Sequence, residues 1–278
     1  MKRHCLLLPA LCLAFLLTLA LTLPATAGTL LYDDFESYPT GIKPTNPGDG
    51  NTNDWFFNAT FTAVTTAGSP PGGHLPNEQV LHVSKPNSGS FSSFGRRFDA
   101  QTKVETDFLK VSFTIQFHSF TDSHYYIQLV NASDSAAVSL RLDGSSLGVQ
   151  TRKDGPGSGD PLTYWHPQGG ALRANNWYQF EILVDLQNQT FRLDITNLTD
   201  PTQHGSTPDY YFINNITTLN GILFRSNGTT SGAANLALDW SLNDVHVQTI
   251  PEPAAASLLL GALLLLGAKK LRARRSLN

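Results

Sequence analysis

The sequence predicts an all-β protein in which two antiparallel sheets pack face to face, and three observations lead there. Apolar and polar residues alternate with a period of two through most of the chain between residues 28 and 249. The alternating runs are separated by short stretches rich in Gly, Asn, Ser and Pro, which are turn formers. No amphipathic helical pattern extends beyond two turns. A strand with one apolar face must bury it, and a chain without helices can only bury it against a second sheet.

The runs follow in order. From Val111 to Phe117 the odd positions are apolar and the even ones polar, and Tyr125, Ile127 and Leu129 continue the pattern. Val138, Leu140 and Leu142 follow, and a Gly/Ser turn leads into Leu147-Gly148-Val149. Phe180, Ile182, Val184 and Leu186 alternate, turn at Gln187-Asn188-Gln189, and are answered by Phe191, Leu193 and Ile195 as a hairpin. The last run is Leu236, Leu238, Trp240 and Leu242; its phase slips at Asn243-Asp244 before Val245 and Val247, which predicts a β-bulge. The stretches 41–53, 67–76 and 154–170 read as loops.

Three segments together resemble the concanavalin A-like (LamG-type) jelly roll: the opening Leu30–Tyr38, the Trp177–Ile195 hairpin and the closing Leu238–Val245. That resemblance implies first and last strands that pair with each other, and a concave sheet that serves as the usual glycan platform. An immunoglobulin-like sandwich is the alternative, for which about 225 residues is long.

Of the 19 Lys and Arg residues, two lie in the first three positions and five in the last ten. The remaining 12 stand against 22 Asp and Glu, a formal net charge of −10 for the intervening body. A body that acidic does not track a phosphate backbone, so nucleic acid is not an expected partner. Both cysteines, Cys5 and Cys12, precede residue 28, so the body has no disulfide, thiolate metal site or cysteine nucleophile.

The two ends carry targeting signals. Lys2, Arg3 and His4, an apolar run from Cys5 to Leu23 and Ala25-Thr26-Ala27 read as a signal peptide over residues 1–27, exported through the Sec translocon. A retained membrane helix is the alternative, against which Pro24 counts. At the other end Pro251, Glu252 and Pro253 precede 15 residues, Ala254–Ala268, which would span roughly 22 Å as a helix. The hydrocarbon core is about 30 Å thick, so this is a marginal, temporary anchor. Lys269, Lys270, Arg272, Arg274 and Arg275 behind it fix its C-terminal side in the cytoplasm. Residues 250–278 resemble the PEP-CTERM sorting signal of Gram-negative bacteria. The resemblance implies recognition by exosortase, transient anchoring in the inner membrane, and delivery to the cell surface or extracellular matrix of a species that makes exopolysaccharide. A plain tail anchor is the other reading. The expected organisation is thus a signal peptide (1–27), a β-sandwich (28–249) and a sorting segment (250–278).

For the body, the candidate glycan-contacting residues are Gln116, His118, Tyr126, Gln128, Arg141 and Arg152, with Asp143 and Gln150, if Val111–Arg152 is one meander with a single polar face. Hydrogen-bonding side chains around an aromatic suit sugar hydroxyls and ring faces; a solvated face with cross-strand pairs is the other reading. Trp165, in the loop 154–170, either stacks on a sugar or covers the rim of the core. No cofactor is required. A structural calcium is conceivable if Asp33, Asp34 and Glu36 meet Asp239 and Asp244, because hard oxygen ligands suit that ion. The histidines show no ligand spacing, so zinc or iron is not expected. Paired carboxylates at glycosidase spacing are missing: Glu181 and Asp185 are too far apart along their strand. Gln116, His118, Tyr126 and Arg141 supply the residue types of polysaccharide lyases without their motifs. The expected role is therefore non-catalytic binding or a structural part beside exopolysaccharide; a secreted lyase or glycoside hydrolase is the alternative.

Overall fold

The alternating faces resolve into two antiparallel sheets in a computed structural model. It describes residues 27–41, 44, 55–57, 62–67, 79–85, 92–102, 108–120, 124–152, 155–157, 163–227 and 238–250. All but the last residue of the expected signal peptide, and the expected sorting motif Pro251-Glu252-Pro253 with its apolar run and basic tail, lie outside the described residues. Among the described residues no helix is long and apolar enough to cross a membrane.

In chain order the strands are β1 (Thr29–Asp33), β2 (Phe56–Phe57), β3 (Thr62–Ala67), β4 (Gln79–Lys85), β5 (Ser92–Thr102), β6 (Phe108–Phe117), β7 (His124–Val130) and β8 (Ala136–Asp143). They continue as β9 (Ser146–Gln150), β10 (Thr163–Trp165), β11 (Trp177–Asp185), β12 (Thr190–Asn197), β13 (His204–Ser206), β14 (Tyr210–Tyr211), β15 (Thr218–Asn227) and β16 (Leu238–Ile250). The first sheet has the order β13-β12-β11-β6-β16-β4-β3, with β1 also on β16 and β14 on β12. The second runs β10-β9-β8-β7-β15-β5-β2.

One correction follows at once. Strands β6 and β7 are consecutive in sequence but belong to opposite sheets, so Val111–Arg152 is not one meander. β6 pairs with β11, whereas β7 pairs with β8 and β15. Alternation fixes which residues point outward from a strand; it carries no information on which strand lies alongside. A second correction concerns Trp165, which lies in edge strand β10 opposite Leu147 rather than in a loop.

The core is aromatic at its centre. Phe94 stacks on Phe224 with ring centroids 4.9 Å apart, and Phe113 stacks on Phe180 at 5.2 Å. The buried Trp240 meets Tyr125 and Phe117 edge-on at 5.4 and 5.6 Å. Phe94 and Phe224 are partners across β5 and β15, while Phe113 and Phe180 are partners across β6 and β11. The two stacked pairs therefore come from opposing sheets, and Phe113 meets Phe224 edge-on across the gap. Such pairs add about 0.5–1.5 kcal/mol each to the burial of their area.

The slip in β16 is real. Leu242 and Val245 both face inward with two residues between them, and Asp244 has φ 50. At this point β16 leaves β4, its partner through Leu242, and takes up β1 from Val245 onward. The bulge thus lets a single strand serve two neighbours.

Candidate functional site

The outer face of the second sheet holds two cross-strand rows. In the first, Phe56, Gly95, Leu223, Gln128, Ser139 and Gln150 are successive partners from β2 to β9. The Gln128 amide donates to Ser139 Oγ at 3.0 Å, and the Ser139 hydroxyl donates to Gln150 Oε1. Among the described residues Gln128 Oε1 is buried without a hydrogen-bonding partner.

In the second row Tyr126 stands between Arg225 on β15 and Arg141 on β8, and Gly148 follows on β9. Gly148 itself is buried. Arg141 Nε donates to Asp143 at 2.8 Å, and Asp134 pairs with Arg97 and lies 3.8 Å from Arg225. Burial pulls the Arg225 guanidinium below its usual value, and the nearby Asp134 charge opposes that. Among the described residues, Arg97, Arg141 and Arg225 on this face are neighboured by Asp134 and Asp143.

The expected residues are therefore divided. Tyr126, Gln128, Arg141, Asp143 and Gln150 share this face. Arg152 lies at its margin and donates from Nε to the Ile213 carbonyl at 2.9 Å, pinning that segment down. Trp165 is half-buried, packs against the core and lies over Gly205, so it covers the rim. Gln116 and His118 are on the outer face of the other sheet; Gln116 donates to the Asn175 carbonyl at 2.9 Å. The four lyase-type residues are accordingly split two and two between opposite faces.

The five acids considered for calcium do not converge. Asp33 is buried and faces inward, where it accepts hydrogen bonds from Phe35 N (2.9 Å), Tyr38 Oη (3.1 Å) and Trp55 Nε1 (2.8 Å) and pairs with Arg96. Asp34 accepts from Glu36 N, and the Glu36 carboxylate accepts from Gln79 N. Asp239 lies six residues before Val245, the partner of Asp33. That is roughly 20 Å along the strand at about 3.3 Å per residue, and it faces outward. Asp244 occupies the bulge.

Instead, the fold assembles a group that no sequence spacing announced. His82 on β4, Asp239 on β16 and His118 just past β6 each offer a ligand atom, all within 4.8 Å of one another. His82 Nε2 lies 2.7 Å from Asp239 Oδ1, and His118 Nε2 lies 2.8 Å from Ser241 Oγ. His82 and Asp239, 157 positions apart in sequence, meet beside His118 because β16 inserts between β6 and β4. Outward phase was legible for His118 and Asp239; adjacency was not.

No protein-family model matches this sequence, and no curated protein sequence is similar enough to count as a relative. Solved structures do match in fold. The β-glucanase catalytic domain of glycoside hydrolase family 131 from Podospora anserina aligns with a TM-score of 0.54 and 11% identity, over 80% of this chain and 97% of that one. The family 131 catalytic domain from Coprinopsis cinerea gives 0.52 and 13%, over 82% and 100%. A sialidase gives 0.53 and 13% over 81% of this chain, which spans only 19% of that protein's length. At such identities the likeness is one of architecture. The chain is an all-β, concanavalin A-like jelly roll of two antiparallel sheets, an architecture it shares with the family 131 catalytic domains.

Proposed function

We propose that this is an exported surface or matrix protein whose sandwich binds an acidic polysaccharide without cleaving it. The observation that carries the reading is the outer face of the second sheet. There Tyr126 lies between Arg141 and Arg225 in one cross-strand row, with Gln128 two residues along β7. An aromatic ring offers a stacking surface and the guanidiniums suit carboxylates. The Pro251-Glu252-Pro253 segment, the apolar run behind it and the basic tail support sorting by exosortase after passage through the Sec translocon.

The second reading is a secreted glycoside hydrolase or polysaccharide lyase, favoured by the fold that this chain shares with family 131 catalytic domains. Against it, the carboxylates described on this face, Asp134 and Asp143, are each engaged by arginine. Hydrolysis by paired acids needs one of them protonated beside an ionised partner, and a neighbouring guanidinium works against the protonated form.

Glycan-array binding by the full chain tests the first reading. Acidic polysaccharides should bind, and Tyr126→Ala should weaken binding by about 30-fold, the equivalent of losing about 2 kcal/mol at a buried anchor. Oligosaccharide release on incubation would replace binding with catalysis. Binding that survives both Tyr126→Ala and Arg141→Ala would overturn the assignment of the face. A surface form lacking the residues after the Pro-Glu-Pro motif would support the sorting step.

A further inference from the structure

We propose that His82, His118 and Asp239 form a binding site for a zinc-class transition metal ion on the outer face of the first sheet. This proposal does not depend on the glycan reading, which concerns the opposite sheet.

His82 and Asp239 come from the adjacent strands β4 and β16, and His118 directly follows β6 on the other side of β16, so two of the three stand on ladder backbone. His82 is the register partner of Ser241, and Asp239 that of Ser84, which sets His82 and Asp239 diagonally on one face. Diagonal neighbours on a sheet lie about 7–8 Å apart at their backbones, within reach of an imidazole and a carboxylate. His118 is fixed beside them because its backbone N–H donates to the Asp239 carbonyl at 3.0 Å. The imidazoles of His82 and His118 meet edge-on with centroids 5.5 Å apart, converging on the same space.

The ligand atoms lie within 4.8 Å of one another. Ligands on one zinc ion at about 2.0–2.2 Å are roughly 3.4 Å apart in a tetrahedron, so rotation about side-chain bonds by an ångström or so closes the sphere. Two imidazole nitrogens and one carboxylate oxygen favour zinc and its neighbours over calcium or magnesium, which prefer all-oxygen sites. Three protein ligands leave a fourth position. The side chains of His82 and Asp239 are 34% and 44% exposed, so that position opens to solvent and accepts water or an anionic oxygen. Ser241 Oγ, now on His118, is placed to hydrogen-bond whatever occupies it.

The test is metal binding by the full chain, read by competition with a chromogenic chelator for Zn2+ and by visible absorption for Co2+. One ion per chain is expected. His82→Ala and His118→Ala should each weaken Zn2+ binding by more than about 100-fold, the top of the range for losing a mere outer-shell partner. Asp239→Asn preserves shape and guards against a folding artefact; it should weaken binding as well. His246→Ala, on the same strand but outside the group, should leave it unchanged. Absence of saturable Zn2+ binding, equal competition by Ca2+, or retention of the ion in all three site variants would each overturn the proposal.

Discussion

Replacing Asp33 by Asn removes one charge from the best-connected polar group in the interior. The Asp33 side chain is 4% exposed and that of its partner Arg96 13%. Oδ1 accepts from Phe35 N, while Oδ2 accepts from Tyr38, Trp55 and Arg96. Every neighbour is a donor, so the amide NH2 of Asn would face an N–H or O–H in either orientation. Breaking a buried ion pair from one side costs about 3–5 kcal/mol. Phe35 raises the stake, because its backbone has φ 63, an unfavourable conformation for a bulky residue, and Asp33 Oδ1 holds it there. For a domain of this size each kcal/mol moves Tm by about 2–4 °C. The expected fall is therefore about 6–20 °C, read by circular dichroism, whereas Asp34→Asn should shift Tm by no more than about 2 °C, surface changes lying within about 0.5 kcal/mol. The experiment also separates an ion-pair hub from a calcium ligand. If Ca2+ stabilised the parent protein and Asp33→Asn abolished that gain, a metal ion would be acting at Asp33 and the reasoning would fail. A fall below about 2 °C would refute it equally.

Two further outcomes follow from the core and the sheet surface. Phe224→Ala removes the ring stacked on Phe94 and set edge-on to Phe113 and Trp240; it should cost about 3–5 kcal/mol in denaturant unfolding. A cost near 1 kcal/mol would mean the two sheets are not joined through that ring. Burial first, then the Lys110 charge, hold the His246 imidazole below its ordinary 6.5. Its folded value is depressed, so the unfolded chain takes the proton first; stability is full above about pH 6.5 and declines as pH falls through it. His246→Gln should flatten the dependence of Tm on pH between about 7.5 and 5.5, and an unchanged slope would count against that cause.

Much of the fold was legible because alternation is a local property. Phe113, Ile115 and Phe117 were bound to face one way and Gln116 the other, whatever lay beside them, and the structure keeps that phase. The slip at Asn243-Asp244 was equally local. Neighbour identity was not. The chain crosses from one sheet to the other between Phe117 and His124, and no periodicity marks a crossover. That single jump separated His118 from Tyr126 and brought it to Asp239, which dissolved one expected group and made another. Asp33 illustrates a different limit. A carboxylate at a strand end reads as solvated, and only the approach of Arg96 and Trp55 explains why it is buried.

The proposed export and the observed fold meet at one place. Gly28 and Thr249 are paired: Thr249 N donates to the Gly28 carbonyl at 2.9 Å, and Gly28 N donates to Thr249 Oγ1 at 2.9 Å. Gly28 and Thr249, close to the two ends of the sandwich, are therefore neighbours at one end of the β1–β16 ladder. β16 ends at Ile250, and Pro251 after it, the first residue of the proposed sorting motif, has no N–H to donate to a ladder. Cleavage after that proline leaves every described strand intact, and the cut and uncut forms should unfold with the same Tm. A lower Tm for the cut form would mean that residues beyond Ile250 contribute to the sandwich, and the fold would then no longer be independent of its sorting segment.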